Sequence, residues 1–227
     1  MPATAGFLFL RMDKKEVIKK TTGFVKSKMA GDSSGHDWWH IYRVWNNAKM
    51  LQKKEGGDLF VIELAALLHD VADWKFNSSE QAGLIIVEGW LNDLVLDKDT
   101  CARVIDIIKN ISFKGAGVRD KMESIEGKIV QDADRLDAIG AIGIGRTFAF
   151  GGKFGNEMHN PEIPVVMHDS FEKYKNSKGT TINHFYEKLM LLKDRMNTPT
   201  AKNIATERHR FMEQFLIEFL NEWDCKK

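Results

Sequence analysis

The stretch Asp58-Leu59-Phe60-Val61-Ile62-Glu63-Leu64-Ala65-Ala66-Leu67-Leu68-His69-Asp70 decides the fold of this chain. It is apolar on nearly every helical face, which predicts a helix buried at the centre of the protein. His69 and Asp70 close this run, and Asp73 follows on the same face. Buried polar groups need partners, so the pair indicates either a metal site or a helix end exposed to solvent.

Helical spacing continues along most of the chain, and no alternating pattern of convincing length indicates a strand. We predict further helices over 82–96, 98–111, 128–150, from a Thr180 or Thr181 cap to Met196, and from Thr200 to Trp223. An Asn77-Ser78-Ser79 cap is predicted before the first of these. The pattern therefore predicts one all-α domain over 1–227, with 1–11 as an N-terminal extension and 151–179 as a long loop.

Composition narrows the class of protein. Of the 227 residues, 43% are hydrophobic and 29% charged, and 33 basic against 32 acidic residues leave a net charge of +1. This near-neutral balance argues against a dedicated nucleic-acid-binding protein. Two cysteines, Cys101 and Cys225, are too few for a disulfide framework, and no apolar run reaches the roughly 20 residues of a membrane span. We expect a cytoplasmic protein without a membrane partner.

A second polar cluster surrounds His36 and His40, which are four residues apart and can share a helical face. The HExxH pattern of zinc helices is absent there. Arg43 lies one turn after His40, where it can face a phosphate or remain a surface charge. The neighbouring tryptophans are better explained as core and pocket wall: Trp38, Trp39 and Trp45.

A third cluster, Gln131-Asp132-Ala133-Asp134-Arg135-Leu136-Asp137, precedes an Ala/Ile/Gly run. Asp134 and Asp137 share a helical face, whereas Asp132 points elsewhere. Carboxylates at the entrance to a core need a cation, which can be a metal ion or an arginine such as Arg135 or Arg146.

The segment Gly140-Ala141-Ile142-Gly143-Ile144-Gly145-Arg146-Thr147 has P-loop spacing, with arginine in place of lysine. A P-loop follows a buried strand, whereas the residues before Gly140 have a charged, helical pattern. We reject the P-loop interpretation and explain the small residues by close helix packing.

In chain order these residues read His40, His69-Asp70, Asp134. This order resembles the H…HD…D motif of the HD-domain superfamily of metal-dependent phosphohydrolases, and most of all its small stand-alone bacterial members that hydrolyse nucleotides. The similarity includes Leu68-His69-Asp70-x-x-Asp73-x-Lys75-Phe76 and a tail around His184 and Arg208-His209. It covers residues 13–223.

The resemblance implies a helical HD domain that binds one divalent ion, with Mn, Fe, Co, Ni or Zn expected and Mg less suited. It assigns the metal ligands to His40 rather than His36, to His69 and Asp70, and to Asp134 rather than Asp132 or Asp137. It implies Asp73 as the acid/base carboxylate. Secondary candidates for the site are His36, Asp137 and His184.

The same resemblance implies a nucleotide substrate. We expect a pyrophosphohydrolase acting on (d)NTP-like molecules, with phosphate contacts from Arg43, Lys75, Lys114 and Arg146. A 5′-nucleotidase, a phosphodiesterase, an alarmone hydrolase and a non-catalytic nucleotide-binding module are the alternatives. Four hydrophobic residues of the last helix can form core or a homodimer face, and core is the expectation: Phe211, Phe215, Phe219 and Trp223.

Overall fold

The computed structural model of this chain describes residues 12–72, 80–113, 115–118, 120–169, 172 and 179–226, and these contain helices and no strands. The helices are α1 (Lys14–Lys28), α2 (Trp38–Glu55), α3 (Leu59–Leu68), α4 (Glu80–Asp93), α5 (Lys98–Asn110), α6 (Ile125–Asp137), α7 (Gly140–Phe154), α8 (Thr181–Glu187) and α9 (Pro199–Trp223), with a 3₁₀ helix over Leu189–Arg195. The all-α prediction is confirmed. The predicted extension over 1–11 and the predicted cap at 77–79 lie outside these residues.

The helix α3 forms the centre of the core, as its apolar sequence predicts. Ile62, Leu64, Leu67 and Leu68 are completely buried there. The helices α1, α2, α5 and α6 pack around α3, and α2 also packs against α6 along much of its length. Each fully buried aliphatic side chain contributes roughly 1.5–3 kcal/mol, so this packing fixes the C-terminal end of α3 relative to α2 and α6.

Polar side chains cap the N-termini of several of these helices. The side chain of Asp37 accepts a hydrogen bond from the backbone N–H of His40 at the start of α2. Thr180 caps α8, as predicted. The last helix begins at Pro199 rather than Thr200, because Thr198 is its cap and proline suits the first helical turn.

The single helix predicted over 128–150 is wrong, because the chain turns between α6 and α7. Gly140 has a φ of 75°, a conformation that only glycine adopts readily. A Cβ on Gly140 would lie 3.0 Å from Cβ of Arg208. The Arg208 guanidinium donates to the carbonyl of Leu136, which satisfies one of the free carbonyls at the end of α6.

Two other predicted boundaries also differ. The helix predicted to reach Met196 ends as α8 at Glu187, and a 3₁₀ helix follows over Leu189–Arg195. The loop predicted over 151–179 begins later, because α7 continues to Phe154. Two side chains of α8 hold the loop residues that follow α7: Asn183 donates to the carbonyls of Ile163 and Pro164, and Glu187 accepts from the N–H of Val166.

The aromatic residues divide between core and surface. Trp38 and Trp45 pack against the core, but Trp39 is 59% exposed, so its assignment to the core was wrong. On α9, Phe215 and Phe219 pack against the core while Phe211 and Trp223 are about half exposed. Among the helices of the described ranges, none is long and apolar enough to cross a bilayer.

Candidate metal centre

Three packed elements bring the H…HD…D residues together. His40 lies in the first turn of α2, His69 and Asp70 directly follow α3, and Asp134 lies in the last turn of α6. Because α3 is buried between α2 and α6, its C-terminal end places His69 and Asp70 against both neighbouring helices. The hydrophobic core therefore determines the geometry of this polar cluster.

The ligand atoms of three of these residues are within 4.8 Å of one another. Nε2 of His40 is 3.3 Å from Nε2 of His69. Oδ1 of Asp134 is 3.5 Å from the first of these nitrogens and 3.8 Å from the second. The side chains of both histidines are at most 2% exposed, whereas that of Asp134 is 33% exposed, so the cluster opens to solvent beside Asp134.

Asp70 completes the cluster. Its Oδ2 is 3.2 Å from Nε2 of His40, and its Oδ1 is 3.4 Å from Nε2 of His69. Burial would raise the pKa of the Asp70 carboxyl, but the imidazoles of His69 and His40 outweigh burial and hold the pKa well below its usual range. Oδ2 is buried without a hydrogen-bond partner. The alternative of a solvated His-Asp helix end is therefore wrong.

Each imidazole uses its other nitrogen as a donor. Nδ1 of His69 lies 2.8 Å from the carbonyl oxygen of Ala66, which can only accept. Nδ1 of His40 lies 2.8 Å from Oδ2 of Asp137, a carboxylate. In the neutral rings both Nε2 lone pairs therefore point into the cluster, together with oxygens of Asp70 and Asp134. Four electron-pair donors in one buried space require a cation, and this mixed nitrogen and oxygen set fits a divalent metal ion.

A proton can serve as that cation when no metal is bound. Burial and the charge of Arg146 lower the pKa of His40, but the hydrogen bond to Asp137 and the negative charge of Asp70 outweigh them and raise this pKa above its ordinary value. A metal ion bound here would therefore compete with a proton for Nε2 of His40.

Two of the residues predicted to contact phosphate bind Asp137 instead of extending into solvent. Arg43 donates through Nε to Oδ1 at 2.7 Å and through Nη2 to Oδ2 at 3.0 Å. Arg146 donates to Oδ2 at 3.0 Å and to the carbonyl of Gly35 at 2.7 Å. Contacts of Arg43 and Arg146 with a phosphate stay a prediction.

The charge of Asp137 follows from these partners. Burial would raise the pKa of the Asp137 carboxyl, but hydrogen bonds from His40 and Arg43 and the charges of His40 and Arg146 hold it well below its usual range. The sequence offered one signal for this residue, its position on the same helical face as Asp134. It gave no sign that Nδ1 of His40 would be its partner.

The remaining aspartates and arginines of the third cluster have separate partners. Arg135 pairs with Asp120 at 2.8 Å, so the predicted alternative of an Asp134–Arg135 pair is not what forms. Asp132 points away from Asp134, as predicted, and accepts hydrogen bonds from Asn197 and Thr198 before α9. Residues 140–147 lie in α7 and follow the helix α6, which confirms that they are not a P-loop.

The secondary candidates lie outside the group of closely spaced ligand atoms found among the described residues. The ring of His36 is 5.8 Å from that of His40, and its Nδ1 is 3.2 Å from Oγ of Ser34. His184 is half-buried on α8. Asp73, Lys75 and Lys114 fall outside the described residues, and their roles stay predictions.

Comparison with known proteins agrees with this geometry. The family model for the HD domain matches residues 38–139, which include all the residues of the cluster. The chain is 42% identical to the Bacillus subtilis protein YpgQ over 194 residues, or 85% of this chain and 87% of that protein. The chain belongs to the HD-domain superfamily of hydrolases and is close to small bacterial YpgQ-like proteins.

Solved structures share the fold over nearly the whole chain. An HD-superfamily hydrolase from Bacillus thuringiensis is 48% identical with a TM-score of 0.72, over 93% of this chain and 99% of that one. A Lactobacillus plantarum protein is 37% identical with a TM-score of 0.87, over 94% and 100%. YpgQ in complex with ADP is 36% identical with a TM-score of 0.73, over 93% and 96%.

Proposed function

We propose that this protein is a metal-dependent nucleotide phosphohydrolase, and specifically a pyrophosphohydrolase that cleaves a phosphoanhydride in (d)NTP-like substrates. The observation that carries the proposal is the convergence of two imidazole nitrogens and two carboxylates whose other contacts leave their electron pairs directed at one another. Membership of a hydrolase superfamily with this motif order supports the assignment to hydrolysis.

The assignment of a nucleotide as the substrate rests on a relative of this chain. YpgQ was crystallised with ADP, and this chain matches YpgQ over most of its length. ADP carries the phosphoanhydride group that the proposed reaction would attack. The proposal extends nucleotide binding to this chain.

Four residues would hold the ion: His40, His69, Asp70 and Asp134. A bound divalent ion would lower the pKa of a water molecule and polarise the phosphoryl group. The carboxylate of Asp73 would orient that water and take up its proton. Lys75 and Lys114 would neutralise the charge that develops on the phosphoryl oxygens. Arg43 and Arg146 would contribute through the N–H groups that do not donate to Asp137.

The donor set favours a transition metal. Two imidazoles with two carboxylates suit Mn, Fe, Co, Ni or Zn, whereas Mg usually binds oxygen ligands and water. We therefore expect turnover with Mn²⁺ or a neighbouring transition-metal ion to exceed turnover with Mg²⁺.

The experiment that tests this proposal removes the metal from the purified protein with EDTA and restores single ions from the set Mn²⁺, Co²⁺, Ni²⁺, Zn²⁺ and Mg²⁺. Each form is assayed against ribo- and deoxyribonucleoside mono-, di- and triphosphates, with phosphate and pyrophosphate release measured separately. Metal-dependent pyrophosphate release from triphosphates is the expected result. Phosphate release from monophosphates alone would assign the protein to the nucleotidases, and nucleotide binding without turnover in any metal would leave a binding module.

The variant Asp73→Asn sharpens the same assay. Because asparagine cannot accept the proton, we expect the rate to fall by about 10²- to 10⁴-fold while the metal content stays that of the wild type. Metal content is measured by elemental analysis of the dialysed protein. Loss of the metal would make Asp73 a ligand and would contradict the acid/base role.

A further inference from the structure

The carboxylate of Asp137 is saturated with donors and cannot itself be a metal ligand. Its side chain is 2% exposed. Its two oxygens accept hydrogen bonds from Nδ1 of His40, Nε and Nη2 of Arg43, and Nη1 of Arg146. These four contacts measure 2.7–3.0 Å. They come from α2 and α7, so Asp137 joins three helices behind the metal cluster.

We propose that Asp137 is a positioning residue that fixes the tautomer and orientation of His40, and that Arg43 and Arg146 act through Asp137 to hold its carboxylate in place. This inference rests on the proposed metal-dependent function and identifies what makes the site competent to bind the ion. An ionised carboxylate at Nδ1 keeps the ring proton on that nitrogen, which leaves the Nε2 lone pair for a metal.

The two histidines of the cluster are held in different ways. The proton of His69 is fixed by the carbonyl of Ala66, an acceptor that no side-chain substitution removes. His40 depends on a side chain 97 residues further along the chain. The two rings therefore provide a controlled comparison inside one protein, because a change at Asp137 can reverse the tautomer of His40 but not that of His69.

The loop before α2 is tied to the same carboxylate. Arg146 donates to the carbonyl of Gly35 with Nε while Nη1 holds Asp137. Gly35 fits closely against this arginine, since an added Cβ would lie 3.0 Å from Cγ of Arg146. The start of α2 and the ring of His40 are thus oriented by one guanidinium.

The decisive variant is Asp137→Ala. It removes Oδ2, the oxygen that Nδ1 of His40 shares with both arginines, and so leaves Nδ1 without its acceptor. The carboxylates of Asp70 and Asp134 near Nε2 remain as acceptors, so the ring proton would move to Nε2, where it blocks metal binding. We expect metal affinity to fall by about 10- to 100-fold, measured by titrating the metal-free full-length protein with Mn²⁺ or Zn²⁺.

The matched control is Asp132→Ala. This aspartate lies on the same helix, is completely buried and accepts hydrogen bonds from Asn197 and Thr198 rather than from the cluster. Both substitutions should lower the melting temperature, but only the one at Asp137 should weaken metal binding. Equal loss of metal affinity in the two variants would show a general structural effect and overturn the proposal.

Imidazole ¹⁵N spectra report which ring nitrogen carries the proton, and a change in the stability of the protein alone does not alter this. In the zinc-loaded wild type we expect a hydrogen-bonded proton on Nδ1 of His40 and of His69. In metal-free Asp137→Ala at alkaline pH, where imidazoles are neutral, the proton of His40 should appear on Nε2 while that of His69 stays on Nδ1. The wild-type spectrum decides the question even if the variant does not fold.

Two results would overturn the positioning role: ligation of zinc through Nδ1 of His40 in the wild type, or unchanged metal affinity in Asp137→Ala. Neither would affect the proposed hydrolysis, which is tested by turnover of the wild-type protein. A wild type that binds metal as described but hydrolyses no nucleotide would instead overturn the proposed function and leave the role of Asp137 intact.

Discussion

Among the proposed ligands, Asp70 has a buried oxygen that needs a cation. Its Oδ2 has no hydrogen-bond partner and lies 3.2 Å from Nε2 of His40. A carboxylate in that position is costly unless a cation is close. The burial of Asp70 at the end of α3 is therefore an argument for its proposed role as a metal ligand.

We expect Asp70→Ala to lose both metal retention and turnover, because it removes a ligand and half of the negative charge in the cluster. Metal content after dialysis and the rate with Mn²⁺ are the two measurements. Asp93→Ala, at the exposed end of α4, changes the net charge equally and should alter neither. Full activity in Asp70→Ala would contradict the assignment of the site.

The structure brings together His40, His69 and Asp134, three of the four residues that the order of motifs in the sequence singled out as metal ligands. Asp137 could be suggested only as a secondary candidate, since its role depends on Arg43 and His40, which are 94 and 97 residues away. Trp39 was misjudged for a related reason. Its aromatic side chain predicts burial, but whether a neighbour covers it is a property of the tertiary structure.

At the scale of elements, the turn between α6 and α7 is the feature that sequence periodicity missed. Apolar spacing continues smoothly through 128–150, and glycines also occur inside packed helices, so the pattern did not distinguish a break from close packing. The positive φ of Gly140 and the approach of Arg208 decide the matter. Neither is visible in local sequence.

This turn gives a stability test. Gly140→Ala should lower the free energy of unfolding by about 1–3 kcal/mol, because alanine is strained at that φ and its Cβ would press on Arg208. Gly145→Ala, in the interior of α7 with no atom within 4 Å of an added Cβ, should instead raise it by about 0.5–1 kcal/mol. Urea unfolding measures both, and equal effects would contradict the assigned turn.

The loop before α2 is held to α7 by an ion pair between Asp32 and Lys153. Asp32 also accepts from the backbone N–H groups of Ser34 and His36. Burial would raise the pKa of Asp32, but the hydrogen bonds from Lys153 and Ser34 outweigh it and lower this pKa to about 2. The ionised carboxylate is thus part of what holds this loop.

The lowered pKa predicts a pH dependence. The folded protein binds the Asp32 proton more weakly than the unfolded chain, so its contribution to stability is complete above about pH 4. That contribution is lost as the pH falls towards about 2. The stability difference between wild type and Asp32→Asn should shrink over this range in urea titrations, whereas a difference that stays constant would contradict the ion pair.

For the whole molecule, we expect metal binding and folding to be coupled. The proposed ligands come from α2, the end of α3 and α6, which pack together around the core, so the unfolded chain has no comparable site. At a metal concentration of about 100 times Kd, stability should rise by about 2.7 kcal/mol. Thermal melts with Mn²⁺ and with EDTA measure this shift, and a melting temperature that responds equally in Asp70→Ala would contradict coupling through this site.

The all-α architecture was predictable from the sequence because one very apolar helix requires others to surround it. Element boundaries depended on side chains that are distant in the chain, as at Leu136 with Arg208. The cluster opens to solvent beside Asp134 because of how the helices pack. The order of the motifs in the sequence does not determine this packing.

The three aspartates of α6 point in different directions around the helix axis, and each therefore has different partners. Successive residues of an α-helix are rotated by about 100° around its axis. Asp132 therefore faces the start of α9 and lies nearly opposite Asp134, which faces the metal cluster. Asp137 lies about 60° from Asp134 around the axis and accepts hydrogen bonds from the arginines. Inserting one residue before Asp132 would turn all three away from their partners at once. Substitution can alter these roles singly, but a change of length before Asp132 in this helix cannot, so we expect lineages of this protein to vary in length in their loops rather than in α6.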